Sequence, residues 1–247
     1  MDNFLNAIEK RSSRRKYLPM AIEESDVETL QAFISELNDK KNIKMRLILD
    51  NGDAFNGFRK SYGMFSGVRN YIALIGDKTD ALALEKLGYF GERLVLQATM
   101  LGLGTCWVGG TFDRTSYPFE LSKGESVVCA ITVGNVLPER SVKEKLIYTI
   151  THRKSKTMEQ MVISDEPVPE WFLTGIQSVQ KAPSAVNRQP VMFTYKGGIV
   201  TASVKDIMGE GFALDLGIAK LHFEFGVGGG TWVFGNGAEF TRRVQDV

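Results

Sequence analysis

Two cysteines and two histidines in 247 residues leave little material for metal or nucleophilic chemistry. Cys106 and Cys129 are far apart and lie in apolar, strand-like runs. That points to buried thiols in a reducing, cytoplasmic setting rather than to a disulfide or a metal site. His152 and His222 have no Cys or carboxylate neighbour at ligand spacing. Neither a zinc site nor a Ser-His-Asp triad is read, and no side chain receives a catalytic role. An excess of one charge is also lacking. Thirty Lys and Arg against 29 Asp and Glu leave a net charge of +1, too little to attract nucleic acid or anionic lipid through a general field. No apolar run has the length of a membrane span, and Met1–Phe4 lacks a signal-peptide layout. A chain that is 43% hydrophobic can still build the core of one large domain or two small ones.

Hydrophobic spacing supplies most of what is present. Helical periods run over 3–10 (Phe4, Leu5, Ile8), 25–37 (Val27, Leu30, Ile34, Leu37), 172–179 and 212–225. Ser25-Asp26-Val27-Glu28 reads as a capping box that opens the second of these. Gly88–Leu101 is apolar around most of its circumference and is expected to be buried. Strands are expected at Met45–Leu49, Tyr71–Ile75, Thr105–Val108, Val127–Val136 and Val191–Tyr195. Residues 53–69 have no clear period and read as loop with some helix. Gly102-Leu103-Gly104 is a helix C-cap leading into a strand. A dinucleotide fingerprint would need the strand first and the helix second. The mixture gives an α+β fold.

Three polar stretches stand out. Arg11-Ser12-Ser13-Arg14-Arg15-Lys16-Tyr17 is either a solvated basic turn or a phosphate cradle, since Arg offers bidentate donors and Ser a short hydroxyl. Ala182-Pro183-Ser184-Ala185-Val186-Asn187-Arg188-Gln189-Pro190 fixes four hydrogen-bonding side chains between two prolines, on a helix-to-strand loop. A backbone-capping turn is the plainer alternative there. His152-Arg153-Lys154-Ser155-Lys156 is a third basic stretch, with a solvated turn as its alternative.

Two of these stretches resemble motifs of the FMN-dependent nitroreductase family: Arg-x-Ser-x-Arg-x-Tyr near the N-terminus and Ala-Pro-Ser-Ala-x-Asn-x-Gln-Pro. The segment Gly-Leu-Gly-Thr-Cys-Trp at 102–107 is similar to one common in that family. The resemblance implies a nitroreductase-like fold and FMN as cofactor. It implies that Arg11, Ser13 and Arg15 hold the FMN phosphate and ribityl chain, with Arg153 and Lys156 reaching the same phosphate. Gly88 and Tyr89, at the start of their helix, are implied to present amides beside the flavin ring, and Gly102 and Gly104 are implied to bind the cofactor as well. Pro183, Ser184, Asn187 and Gln189 are implied to line the flavin from the other motif. The implied activity is ping-pong transfer from NADH or NADPH, through flavin N5, to a small electron acceptor such as a nitroaromatic or quinone. A non-catalytic flavin-binding protein, or flavin fragmentation or dehalogenation on the same scaffold, are the alternatives.

The chain also echoes itself. The helix-strand unit at 168–195 parallels that at 25–49, 212–225 parallels 88–101, and Gly230-Thr231-Trp232-Val233-Phe234-Gly235 echoes Gly104–Gly109. This suggests two pseudo-repeats, each a mixed or antiparallel sheet flanked by helices. Residues 1–160 carry the phosphate motif. Residues 161–247 form a shortened second copy with the Ala-Pro-Ser-x-x-Asn loop. Ordinary nitroreductases build each FMN site from two subunits, so this layout suggests a pseudo-dimer within one chain, compatible with a monomer and a single FMN site.

Overall fold

The computed structural model describes residues 2–56, 61–114, 117–151, 154–208 and 211–243. The chain order is α1 (Asp2–Lys10), α2 (Glu24–Lys41), β1 (Lys44–Ile48), β2 (Asn70–Gly76), α3 (Ala81–Met100), β3 (Gly104–Val108), β4 (Ser126–Gly134) and α4 (Val142–Thr151). It continues with β5 (Val162–Ile163), α5 (Glu170–Gln180), β6 (Met192–Lys196), β7 (Ile199–Ser203), α6 (Phe212–Gly226), β8 (Gly230–Trp232) and β9 (Glu239–Arg242). Among the described residues no helix is long and apolar enough to cross a membrane.

Two compact units result, neither continuous in sequence. An N-proximal unit comprises Lys10–Asp80 and Leu94–His152; a C-proximal unit comprises Met1–Glu9, Ala81–Arg93 and Arg153–Val247. The N-proximal unit holds a four-stranded antiparallel sheet in the order β1-β2-β4-β3. Asn70–Ile75 of β2 are buried without interruption, because a central strand covered on both faces needs apolar side chains on both. Its core gathers Tyr17, Phe55, Phe65, Tyr71 and Phe112 around Cys106 and Val108.

The C-proximal unit holds five strands in the order β5-β6-β7-β9-β8, with β5 parallel to β6 and the other pairs antiparallel. Phe172, Phe193, Phe223, Trp232 and Phe240 interlock beneath it at ring separations of 4.9–6.1 Å. In chain order α2-β1-β2-α3-β3-β4 is matched by α5-β6-β7-α6-β8-β9. The strand orders β1-β2-β4-β3 and β6-β7-β9-β8 correspond term by term.

Several local expectations hold. Gly102 adopts φ 78° just past α3, and the amides of Leu103 and Gly102 return to the carbonyls of Ala98 and Thr99. That Schellman pattern needs a residue at ease in the left-handed region. Both cysteines are buried.

Other boundaries differ. Helix α2 begins at Glu24 with Glu23 as N-cap and no side-chain cap, so Ser25 lies inside the helix rather than at its cap. The Glu23 carbonyl already accepts from the Asp26 and Val27 amides. Helix α3 begins at Ala81, seven residues before Gly88. Helix α4 and strands β7 and β9 have short or weakly periodic sequences and were not foreseen.

Candidate flavin site

Residues 11–17 form an extended segment rather than a solvated turn. Ser13 bridges Thr105 of β3 in parallel register, the Arg14 amide donates to the Thr105 carbonyl (2.8 Å), and Tyr17 and Arg15 exchange backbone bonds with Ser66. Alternation along an extended chain sends side chains to opposite sides. Arg14 goes inward and is 6% exposed, donating to Glu144, to the Leu137 carbonyl (2.7 Å) and to the Glu139 carbonyl (3.1 Å). Tyr17 is also buried, its hydroxyl between the Arg14 carbonyl and Thr132.

Arg11, Ser13 and Arg15 are half-buried and converge on Cys106. Burial pushes the Cys106 thiol up, against the pull of Arg15, a hydrogen bond with the Ser13 side chain and the charge of Arg11. The Arg15 Nε is shielded from solvent and has no hydrogen-bond partner among the described residues. Arg15 also lies over the Phe65 ring at 5.9 Å. Gly104 belongs to the same neighbourhood: a Cβ there would meet Val136 at 2.3 Å and the Arg14 side chain at 3.1 Å.

The second motif lies in the C-proximal unit. Ala185–Asn187 form a 3₁₀ turn in which Val186 (φ 46°, ψ 35°) and Asn187 (φ 52°) are left-handed, followed by Gln189 at φ 46°. A β-branched residue in this region stores about 1–3 kcal/mol of strain, a cost that clusters at ligand-binding loops. The loop is pinned from several sides. The Ser184 Oγ accepts from the Gln189 amide (2.9 Å), and the Gln189 side chain accepts from the Lys156 amide (2.7 Å) and donates to the Gln180 carbonyl (2.9 Å).

The Gln189 side chain therefore shapes the loop from inside and ties Lys156 to it. Arg153, the other cation expected there, lies outside the described residues, as does His152. Asp215, in the first turn of α6, accepts from the Ala185 amide at 3.3 Å through either oxygen. Burial pushes its carboxyl up to about 7, despite the Ala185 amide and the nearby Arg188 charge.

Gly88 and Tyr89 require a correction. With α3 starting at Ala81 they stand in the helix interior, where amides are committed to the i−4 carbonyls. Gly88 has a packing reason instead, since a Cβ would come within 2.1 Å of the Leu214 carbonyl oxygen; Gly217 on α6 faces Glu85 just as closely. The Tyr89 hydroxyl donates to Glu224.

Glu144 was missed by the sequence reading. It is 4% exposed and accepts from the amides of Arg15 (2.8 Å) and Lys16 (3.2 Å), the Arg14 Nε (3.2 Å), and the Ser141 amide (2.8 Å) and hydroxyl (3.0 Å). Burial alone would raise its pKa. The amides of Arg15 and Ser141, the Arg14 guanidinium and the Lys16 amide outweigh burial and hold it at about 2. A signal existed: Ser141-x-x-Glu144 is a capping box at the start of α4.

With this geometry in view, residues 3–227 match the family model described as "Putative TM nitroreductase". The chain belongs to this nitroreductase family. A similar solved structure is that of a protein likewise described, from Thermotoga maritima MSB8. It is 21% identical, with 96% of this chain and 92% of that chain covered and a TM-score of 0.66, a likeness of fold. Smaller matches include an FMN-dependent nitroreductase from Clostridium difficile R20291 (19% identity, 62% and 98% covered, TM-score 0.42). Another is a nitroreductase with bound FMN from Bacteroides fragilis NCTC 9343 (15% identity, 56% and 94% covered, TM-score 0.41). No curated protein matches the sequence. The nitroreductase-like α+β fold, two sheets flanked by helices, is thus the fold of this chain.

Proposed function

We propose that this nitroreductase-family chain binds FMN and is an oxidoreductase using NADH or NADPH to reduce a small electron-poor acceptor, a nitroaromatic or quinone. The observation that carries the reading is the convergence of Arg11, Ser13 and Arg15 around Cys106, with the Arg15 Nε left without a hydrogen-bond partner among the described residues. Two guanidinium groups and a hydroxyl are the donor set a phosphate dianion takes.

In this reading Arg11 and Arg15 donate to the phosphate oxygens and Ser13 adds a hydroxyl donor. Ser184 and Asn187 offer polar contacts to the flavin, and Pro183 an apolar one. When bound, FMN supplies the redox chemistry, accepting two electrons from the nicotinamide and passing them to the acceptor. The strained, pinned loop at 184–189 keeps its donors oriented before the ligand arrives, which reduces the ordering cost of binding. Each motif occurs once, so the stoichiometry is one FMN per chain, and the chain is a fused pseudo-dimer that works without a second copy.

Arg15→Ala should weaken FMN binding by about 1.5–3 kcal/mol, the range for a hydrogen bond to a charged group. Fluorescence titration of the flavin-stripped protein measures this. Unchanged affinity in both Arg11→Ala and Arg15→Ala would overturn the cradle. Bound FMN that neither NADH nor NADPH reduces under anaerobic conditions would leave a flavin-binding protein without the oxidoreductase activity. Calorimetric stoichiometry near two would refute the single site.

A further inference from the structure

The Arg-x-Ser-x-Arg stretch contains a third arginine, and its use differs from that of its neighbours. Arg14 is spent on Glu144 and on the carbonyls of Leu137 and Glu139, and is buried. Oε1 of Glu144 takes the amides of Arg15 and Lys16 together with the Arg14 Nε. Oε2 takes the amide and hydroxyl of Ser141. One carboxylate thus clamps three consecutive residues of the extended segment to the first turn of α4.

The clamp acts on backbone and on the inward side chain only. The Arg15 and Lys16 amides both point at Glu144, while the side chains of Arg11, Ser13 and Arg15 act on Cys106. A buried carboxylate so near a phosphate site would ordinarily repel the ligand. Here its charge is met by Arg14 and four further hydrogen-bond donors, so Arg11 and Arg15 are not consumed in neutralising it.

We propose that Glu144 is the positioning residue of the phosphate cradle: by fixing the backbone of residues 14–16 it aims Arg11, Ser13 and Arg15 at the phosphate and thereby selects FMN over unphosphorylated riboflavin. This rests on the assignment of the cradle to the FMN phosphate made above. Because the carboxyl is held at about 2, the clamp stays ionised at any working pH.

The test compares Kd for FMN and for riboflavin in the full chain, stripped of flavin, for wild type, Glu144→Gln, Ser141→Ala and Arg15→Ala. An amide at 144 would turn donor against donor at one of its two oxygen positions. Glu144→Gln should weaken FMN binding by on the order of tenfold to a hundredfold, as loss of an orienting partner behind a ligand-contacting group does, and should leave riboflavin binding unchanged. Ser141→Ala removes one of the five donors and should weaken FMN binding alone, by a smaller factor. It decides the matter if Glu144→Gln does not fold. Equal losses for FMN and riboflavin would show a merely structural role. Loss of FMN affinity in Arg15→Ala with none in Glu144→Gln or Ser141→Ala would overturn this inference and leave the cradle standing. Unchanged FMN affinity in Arg15→Ala and Arg11→Ala would instead remove the cradle itself.

Discussion

Asp215 offers a measurable consequence of placing a carboxylate where water cannot follow. It is 6% exposed, and its hydrogen bonds to the Ala185 amide are long, 3.3 Å from either oxygen. The Arg188 charge does not compensate for burial, and the carboxyl moves from 3.8 up to about 7. The folded state therefore holds this proton over a range where the unfolded chain releases it. Stability from this group is fully present below about pH 4, declines as pH rises, and is lost above about pH 7. A shift of roughly three pK units corresponds to about 4 kcal/mol. Asp215→Asn keeps an oxygen for the Ala185 amide and carries no charge at any pH. It should match wild type near pH 4 and exceed it by up to about 4 kcal/mol at pH 8. Urea unfolding of both proteins across that range reads the difference directly, since contributions from other carboxylates cancel between them. A wild-type-minus-variant difference that stays constant with pH would refute the reasoning, because it would mean that Asp215 ionises alike in folded and unfolded chains.

Three further outcomes follow from packing and pairing. Gly88→Ala should cost about 1–3 kcal/mol in thermal unfolding, since the new Cβ meets a backbone carbonyl that cannot swing away. Lys220→Met should cost about 3–5 kcal/mol by leaving Glu85 buried without its partner, and adding Glu85→Gln should recover part of that loss in the same assay. Gln189→Ala should cost about 1–3 kcal/mol and speed hydrogen exchange at the Lys156 amide, whose acceptor it removes.

What the sequence by itself determined is local. Periodicity located every named helix except α4, and the central strands, because burying one side or all sides of an element requires apolar residues at its own repeat. Gly102 announced the end of α3, because few other residues accept a left-handed φ. The Arg-x-Ser-x-Arg spacing singled out Arg11, Ser13 and Arg15, whose side chains all act on Cys106 in the fold. The start of α3 lies at Ala81 rather than at the expected Gly88: Ala81–Leu87 continues the apolar pattern, and Gly88, a residue ordinarily disfavoured inside a helix, stands in its interior. That error carried Gly88 and Tyr89 into a role their amides cannot fill.

Partner choice was decided only in three dimensions. Nothing local distinguishes Arg14 from Arg11 or Arg15; Glu144, 130 residues further on, does so by accepting from it inside the fold. His222 has Glu224 two residues on in sequence, yet its Nε2 lies 3.0 Å from Glu92, with both side chains fully buried. Lys220 reads as a charge interrupting an apolar helix until Glu85 and the carbonyls of Val233 and Gly235 surround its ammonium group. Asp215 reads as a first-turn acid at a helix N-terminus until burial raises its pKa. In each case burial takes a polar or charged group out of water at a cost, which a partner supplied through space offsets for Arg14, His222 and Lys220 but not for Asp215. Sequence spacing encodes which side of an element is dry, whereas only the assembled core brings together groups more than a hundred residues apart.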